Sequence, residues 1–125
     1  DSAKESVATY DSALKAPRCS AVSSSCTSGA SMIKAVGATE SNSPNSLDSC
    51  TDGTFAKYLT DESVENITVR AIGGGQLQVG GTAEIKATVW AYSNPTDDTA
   101  DFYYSATASN PTWVFLGSEV PSAPG

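Results

Sequence analysis

Histidine is absent from this 125-residue chain. Its absence removes the usual general base, the Ser-His-Asp triad and the two-histidine metal sites together. Basic residues are scarce too: seven Lys and Arg stand against 14 Asp and Glu, giving a net charge of −7. A nucleic-acid binder needs a basic stripe to neutralise phosphates, and docking on anionic lipid makes a similar demand. Neither class fits. No apolar run approaches the ~18 residues that span a bilayer, so membrane insertion is not expected. Nor is there a helix-period segment long enough to suggest βαβ units. Cysteine is limited to three residues, an odd number.

What is present reads as secreted. Ser and Thr make up about a quarter of the residues, well above ordinary usage. Asp1 stands where an initiator Met would, which suggests a processed N-terminus. These features point to an extracellular or cell-surface protein, with covalent glycans among its expected partners. Asn66-Ile67-Thr68 is a valid N-glycosylation acceptor, whereas Asn94-Pro95-Thr96 and Asn110-Pro111-Thr112 are blocked by proline.

Cys19 and Cys26 enclose six residues of Ser, Ala and Val, and a disulfide between them would pin a loop with little core to hold it. Cys50 is then left over, which in a secreted chain implies an intermolecular or missing partner. Zinc is the rival use of cysteine, but there is no His and no Cys-x-x-Cys pair.

Along the chain, Ser6 to Ala16 reads as an extended N-terminal arm. It is short and apolar-poor for a helix, and its Val, Thr and Tyr suit extended backbone. Residues 19 to 52 look loop-like, with Met32 to Val36 as one short apolar run. From Phe55 the pattern turns to β. Phe55 to Leu59, Val64 to Ile72, Ala83 to Tyr92, Asp101 to Thr107 and Trp113 to Ser118 are strand-like runs separated by Gly, Pro and Asn. Gly73-Gly74-Gly75 and Gly80-Gly81 flank Gln76 to Val79, a tight reversal or short strand. Ala83 to Tyr92 is the best strand: Ile85, Ala87, Val89 and Ala91 share one face, and Glu84, Lys86, Thr88, Trp90 and Tyr92 the other. Asn94 to Asp98 is a turn.

This order implies an all-β chain, an immunoglobulin-like antiparallel β-sandwich with a long N-terminal loop region. Residues 1–18 form the arm and 19–125 the sandwich. Such a sandwich needs about seven strands, so the five runs leave it incomplete. The chain stops at Val120 to Gly125, where more strands would be expected. Either further residues or another chain would supply them.

Chemistry is sparse. Adjacent carboxylates such as Asp97-Asp98 sit in turns, and without a base they do not suggest an enzyme. Calcium is a better use of the acids than catalysis, through Asp48, Asp52, Asp61 and Glu62, although no EF-hand spacing exists; surface charge is the plainer reading, and otherwise no cofactor is implied. The glycine cluster has no following Lys or helix start and is not a phosphate loop. Trp90, Tyr92 and Trp113 offer an aromatic platform on which sugars could stack, with cross-strand packing as the plainer use.

Taken in order, Ala16-Pro17-Arg18-Cys19, Cys26-Thr27-Ser28-Gly29, Asn42 to Leu47, Ser49 to Thr54, Asp61-Glu62-Ser63, Ala87 to Tyr92 and Asp101 to Tyr104 through Trp113 resemble a family of secreted Ig-like β-sandwich modules. Such modules occur in bacterial and microbial extracellular proteins, including C-terminal to secreted metallopeptidases. The resemblance implies a fold and secretion rather than a chemistry. It implies two further strands and a late cysteine that would pair with Cys50. The arm is also similar to the donor strands of pilus-type fibrils built by donor-strand exchange. The leading expectation is therefore a structural subunit of an extracellular fibril. Val7, Thr9, Tyr10 and Leu14 would insert into a neighbouring copy's incomplete sheet, giving a filament of copies of the chain. The alternative is a non-catalytic carbohydrate- or surface-binding module of a secreted hydrolase.

Overall fold

The computed structural model describes residues 5–14, 16–28, 59 and 62–125. They are all-β, with a single 3-10 turn as the helical element among the described residues. In chain order the strands are β1 (Glu5–Val7), β2 (Thr9–Asp11), β3 (Ala16–Arg18), β4 (Ser25–Thr27), β5 (Ser63–Ala71), β6 (Ala83–Trp90), β7 (Ala100–Tyr104) and β8 (Val114–Glu119). They form one four-stranded sheet, β1-β4-β5-β6, and two hairpins, β2-β3 and β7-β8.

The centre of the large sheet is the antiparallel pair β5-β6, in register from Ser63↔Trp90 to Ala71↔Ala83. Alternation explains most of it. Ile67, Val69 and Ala71 stand opposite Ala87, Ile85 and Ala83, so the small aliphatics of both strands share one face. A bulge between Val64 and Asn66 leaves Glu65 as the extra residue. The bulge shifts the side-chain parity of β5, and Val64 therefore falls opposite Val89 on the same apolar face. On the opposite face Arg70 and Glu84 form an exposed cross-strand ion pair at 2.8 Å.

Between these strands the chain does not make a tight reversal. Residues Ile72 to Thr82 form an open loop in which Gln76 to Val79 is not a strand. Gly73 and Gly74 turn it with φ of 92° and 71°, a region closed to most side chains. The Leu77 amide bonds the Ser23 carbonyl at 2.8 Å, tying the loop to the segment before β4.

Two further expectations need correction. Residues 25–27 were expected to be loop, yet they form β4, paired antiparallel with β5 through Ser25↔Arg70, Cys26↔Val69 and Thr27↔Thr68. The sheet is also not wholly antiparallel, because β1 runs parallel to β4. β4 lacks apolar alternation, so nothing local marks it; its pairing comes from residues about forty positions away.

In the second hairpin, β7 pairs with β8 around a bulge between Phe102 and Tyr103. Tyr103 and Phe115 meet edge to face with ring centroids 5.3 Å apart, the favoured geometry of an aromatic cross-strand pair. Ser105 Oγ accepts from the Thr107 and Thr112 amides and fastens the connecting loop. Before β7, the 3-10 turn Pro95–Asp97 is capped by Asn94, whose side chain accepts from Thr96.

Burial is thin. Among the described residues the buried apolar side chains are Ala8 and Ala91, and no large side chain is fully buried. The buried polar residues Ser23, Ser25, Thr27 and Ser28 cluster around β4. Val114, Phe115 and Leu116 in β8 are each about half exposed.

Candidate functional site: the N-terminal strand and its acceptor

The segment expected to act as a donor strand, Ser6 to Ala16, is extended only in short pieces, β1 and β2 followed by a turn at residues 12–14, and it is not free-standing. Glu5, Ser6 and Val7 align with Ser25, Cys26 and Thr27 of the same chain, and the Ala8 amide continues the ladder to the Thr27 carbonyl at 2.8 Å. β1, inside the expected arm, thus borders β4, inside the expected sandwich. Val7 is 65% exposed, whereas Ala8 beside it is buried at 4%. Ala8 is the point at which the arm seats against the body.

After Ala8 the chain folds back on itself. Thr9, Tyr10 and Asp11 pair with Arg18, Pro17 and Ala16 in hairpin β2-β3. Asp11 organises the reversal: its Oδ1 accepts from the Ala13 and Leu14 amides at 2.9 and 3.0 Å, and its Oδ2 meets Arg18 Nη1 at 3.1 Å. The Leu14 amide, followed by the Arg18 guanidinium, holds the Asp11 carboxyl below its ordinary value of 3.8 by favouring the charged form. Leu14 lies in this turn and not in a strand; Thr9 and Tyr10 lie in β2.

The acceptor strand is anchored twice. Cys19 and Cys26 form a disulfide, which fixes the residue following the hairpin to the middle of β4. On the other side a polar network joins β4 to β5. Thr27 Oγ1 and Ser28 Oγ donate to Asn66 Oδ1 at 2.9 and 2.7 Å. The Ile67 amide donates to Ser28 Oγ, and Thr68 Oγ1 donates to Thr27 Oγ1 at 3.2 Å. Asn66, the expected glycosylation acceptor, therefore sits mid-strand with its side chain engaged. Buried hydroxyls that find partners in this way hold two strands in one register.

The remaining expected site residues are dispersed over other elements. Trp90 ends β6, half-buried, near the C-terminal segment; a Cβ added to Gly125 would lie 3.9 Å from its ring, and the Gly125 amide bonds the Ala91 carbonyl. Tyr92 is 60% exposed just beyond β6, and Trp113 is 39% exposed just before β8. Asp48, Cys50, Asp52 and Asp61, together with the runs Met32 to Val36 and Phe55 to Tyr58, lie outside the described residues. Glu62 is exposed ahead of β5. Among the described residues no three acidic or thiol side chains gather in metal-binding geometry.

Sequence reasoning missed the Asp11–Arg18 pair and the Thr27–Ser28–Asn66 network. For Asp11 a signal existed, since an Asp ahead of Ser-Ala-Leu suits an Asx-type turn. For the network there was none: its members lie about forty residues apart and are ordinary loop residues by type.

No family model, no curated protein and no solved structure matches this chain. Its functional reading rests on its own residues.

Proposed function

We propose that this chain is a structural subunit of an extracellular fibril, an immunoglobulin-like module that polymerises by placing its N-terminal strand in a neighbour's sheet. One observation supports this reading above the others. The N-terminal strand is a three-residue edge strand in parallel pairing, joined to the body through a short hairpin. Parallel pairing is slightly less stable per residue than antiparallel pairing, and an edge strand leaves without disturbing the strands inside it. Exchange between copies re-forms the same contacts, so it costs little and is driven by concentration. An isolated copy satisfies its own β4, while a crowded one shares. Because donor and acceptor lie on different parts of the chain, the contact runs head-to-tail and grows a filament wherever the rotation between copies does not close a ring.

The test uses the register. In Glu5→Cys/Ser25→Cys, the two thiols face each other across β1 and β4. Oxidised after assembly, exchanged strands link neighbouring chains. A denaturing, non-reducing gel then shows a ladder that the unsubstituted chain lacks. A monomer band alone, from material that electron microscopy shows to be fibrous, rejects strand exchange. Absence of fibres at any concentration rejects the subunit reading.

A carbohydrate-binding accessory module is the second reading, supported by the exposure of Tyr92 and Trp113. It predicts that Tyr92→Ala or Trp113→Ala abolishes retention on immobilised polysaccharide with the fold intact. If the unmodified chain is not retained, this reading fails.

A further inference from the structure

Resting on the assembly reading, we infer that hairpin β2-β3 is the extensible linker that delivers β1 to the β4 edge of a second copy of this chain. The argument begins with the tether. Cys19 is fixed to Cys26, so when β1 leaves its own sheet the chain remains anchored at Cys19, beside the position just vacated. Twelve residue steps separate Val7 from Cys19. Folded as a hairpin, most of that length is taken up. Opened, it spans about 40 Å at ~3.3–3.6 Å per residue, roughly the width of a small domain. Release of β1 alone, with the hairpin closed, would keep the strand close to its own body.

The hairpin is built to open. It has three residues on each strand. A two-stranded hairpin of that length is marginal in water. What holds it is local: the Asp11 carboxylate on the Ala13 and Leu14 amides, and its ion pair with Arg18, whose side chain is 60% exposed. No described residue of the hairpin is fully buried, so opening uncovers only the covered parts of Tyr10, which is 39% exposed, and of half-buried Leu14, Ala16 and Pro17.

Charge favours a second copy as the partner for this segment in particular. Residues 1–18 contain three acids (Asp1, Glu5, Asp11) and three bases (Lys4, Lys15, Arg18), for a net charge of zero. Residues 19–125 hold the other eleven acids and four bases, so the body carries the whole −7. Two bodies repel, whereas an arm approaching a body does not. A linker that keeps the bodies apart while the neutral strand crosses the gap reduces that repulsion.

The receiving surface is the edge of β4 at Ser25–Thr27, where the Thr27 carbonyl accepts from the Ala8 amide. β4 is held independently of β1, by its antiparallel pairing with β5 and by the Asn66 network. The partner's Ser25, Cys26 and Thr27 would then meet Glu5, Ser6 and Val7 in the register seen within one chain.

Locking the hairpin tests this. In Thr9→Cys/Arg18→Cys the new thiols oppose each other across β2 and β3. One portion is oxidised as monomer to form the cross-link; another has its thiols capped with iodoacetamide first, which leaves the native disulfide intact. The locked form is expected to lose at least tenfold in fibre yield relative to the capped form. Equal yields overturn the linker inference and leave strand exchange standing. If the unsubstituted chain forms no fibre, the assembly reading itself fails. Asp11→Ala provides an independent measure. It removes the acceptor that closes the turn, and it should shorten the time to half-maximal light scattering several-fold. An unchanged or longer time counts against the hairpin as the barrier.

Discussion

At Asn66 one spacing serves two chemistries. Asn-x-Thr marks a glycosylation acceptor, and the same i, i+2 spacing puts Asn66 and Thr68 on one side of a strand. There both side chains join Thr27 and Ser28 in the network between β4 and β5. Asn66→Ala removes the acceptor of two hydroxyls, and leaving such groups unpaired costs about 1–3 kcal/mol; urea denaturation should show a lower midpoint with an unchanged slope. Asp11 gives a second prediction at this scale. Its carboxyl is held below the ordinary value of 3.8, so its contribution to the turn is fully present above that value. It is lost as pH falls through the lower folded value. The Ala13 and Leu14 amide resonances should titrate with a midpoint below 3.8, and a midpoint at or above it would mean the carboxylate does not hold the turn in solution.

At the scale of elements, what local pattern could reveal was legible. Val64 to Ile72, Ala83 to Tyr92, Asp101 to Thr107 and Trp113 to Ser118 correspond to β5 through β8 within a few residues. The first two alternate, the last two are short aromatic or apolar runs, and all are bounded by turn residues; such signals lie within the strand itself. The Asn94 to Asp98 turn was readable for the same reason, through a capping Asn and a following Pro. β4 was not legible. Ser-Cys-Thr has no alternation to read, and its strand character is conferred by β5 from a distant part of the chain. The candidate site divides the same way: the Cys19–Cys26 pair could be read, and Asp11 carried a local turn signal that breaks the expected arm, whereas the parallel register with β4 depends on contacts that no window of sequence contains. The disulfide yields the element-scale prediction. Replacing Cys19 and Cys26 by Ser frees a short loop, worth ~2–3 kcal/mol of unfolded-state entropy, and thermal unfolding should fall accordingly. It should also weaken hydrogen-exchange protection at Ala71, whose amide bonds the Ser24 carbonyl inside that loop.

For the whole molecule, few described apolar side chains are buried and the net charge is concentrated outside the arm. Assembly must then work against repulsion between acidic bodies, and salt should promote it. Raising ionic strength from about 0.01 to 0.15 M shortens the screening length from ~30 to ~8 Å. Sedimentation should show more polymer at the higher salt. Less polymer would indicate that attractive charge pairs, and not backbone pairing, hold the copies together.

The bond between Cys19 and Cys26 also decides where a pull on the N-terminus is borne. Tension entering along the arm reaches Cys19 and crosses the sulfur bridge to the middle of β4, so the intervening residues 20–25 carry no load. The force then arrives on a strand hydrogen-bonded to β5, where several backbone bonds resist together. Reduction would reroute it through the bypassed loop. The seven steps from Cys19 to Cys26 span about 24 Å when extended, against 6.0 Å when bridged. Stretching single molecules with and without reductant should reveal that hidden slack, about 18 Å per subunit, as an added contour length in the reduced protein alone.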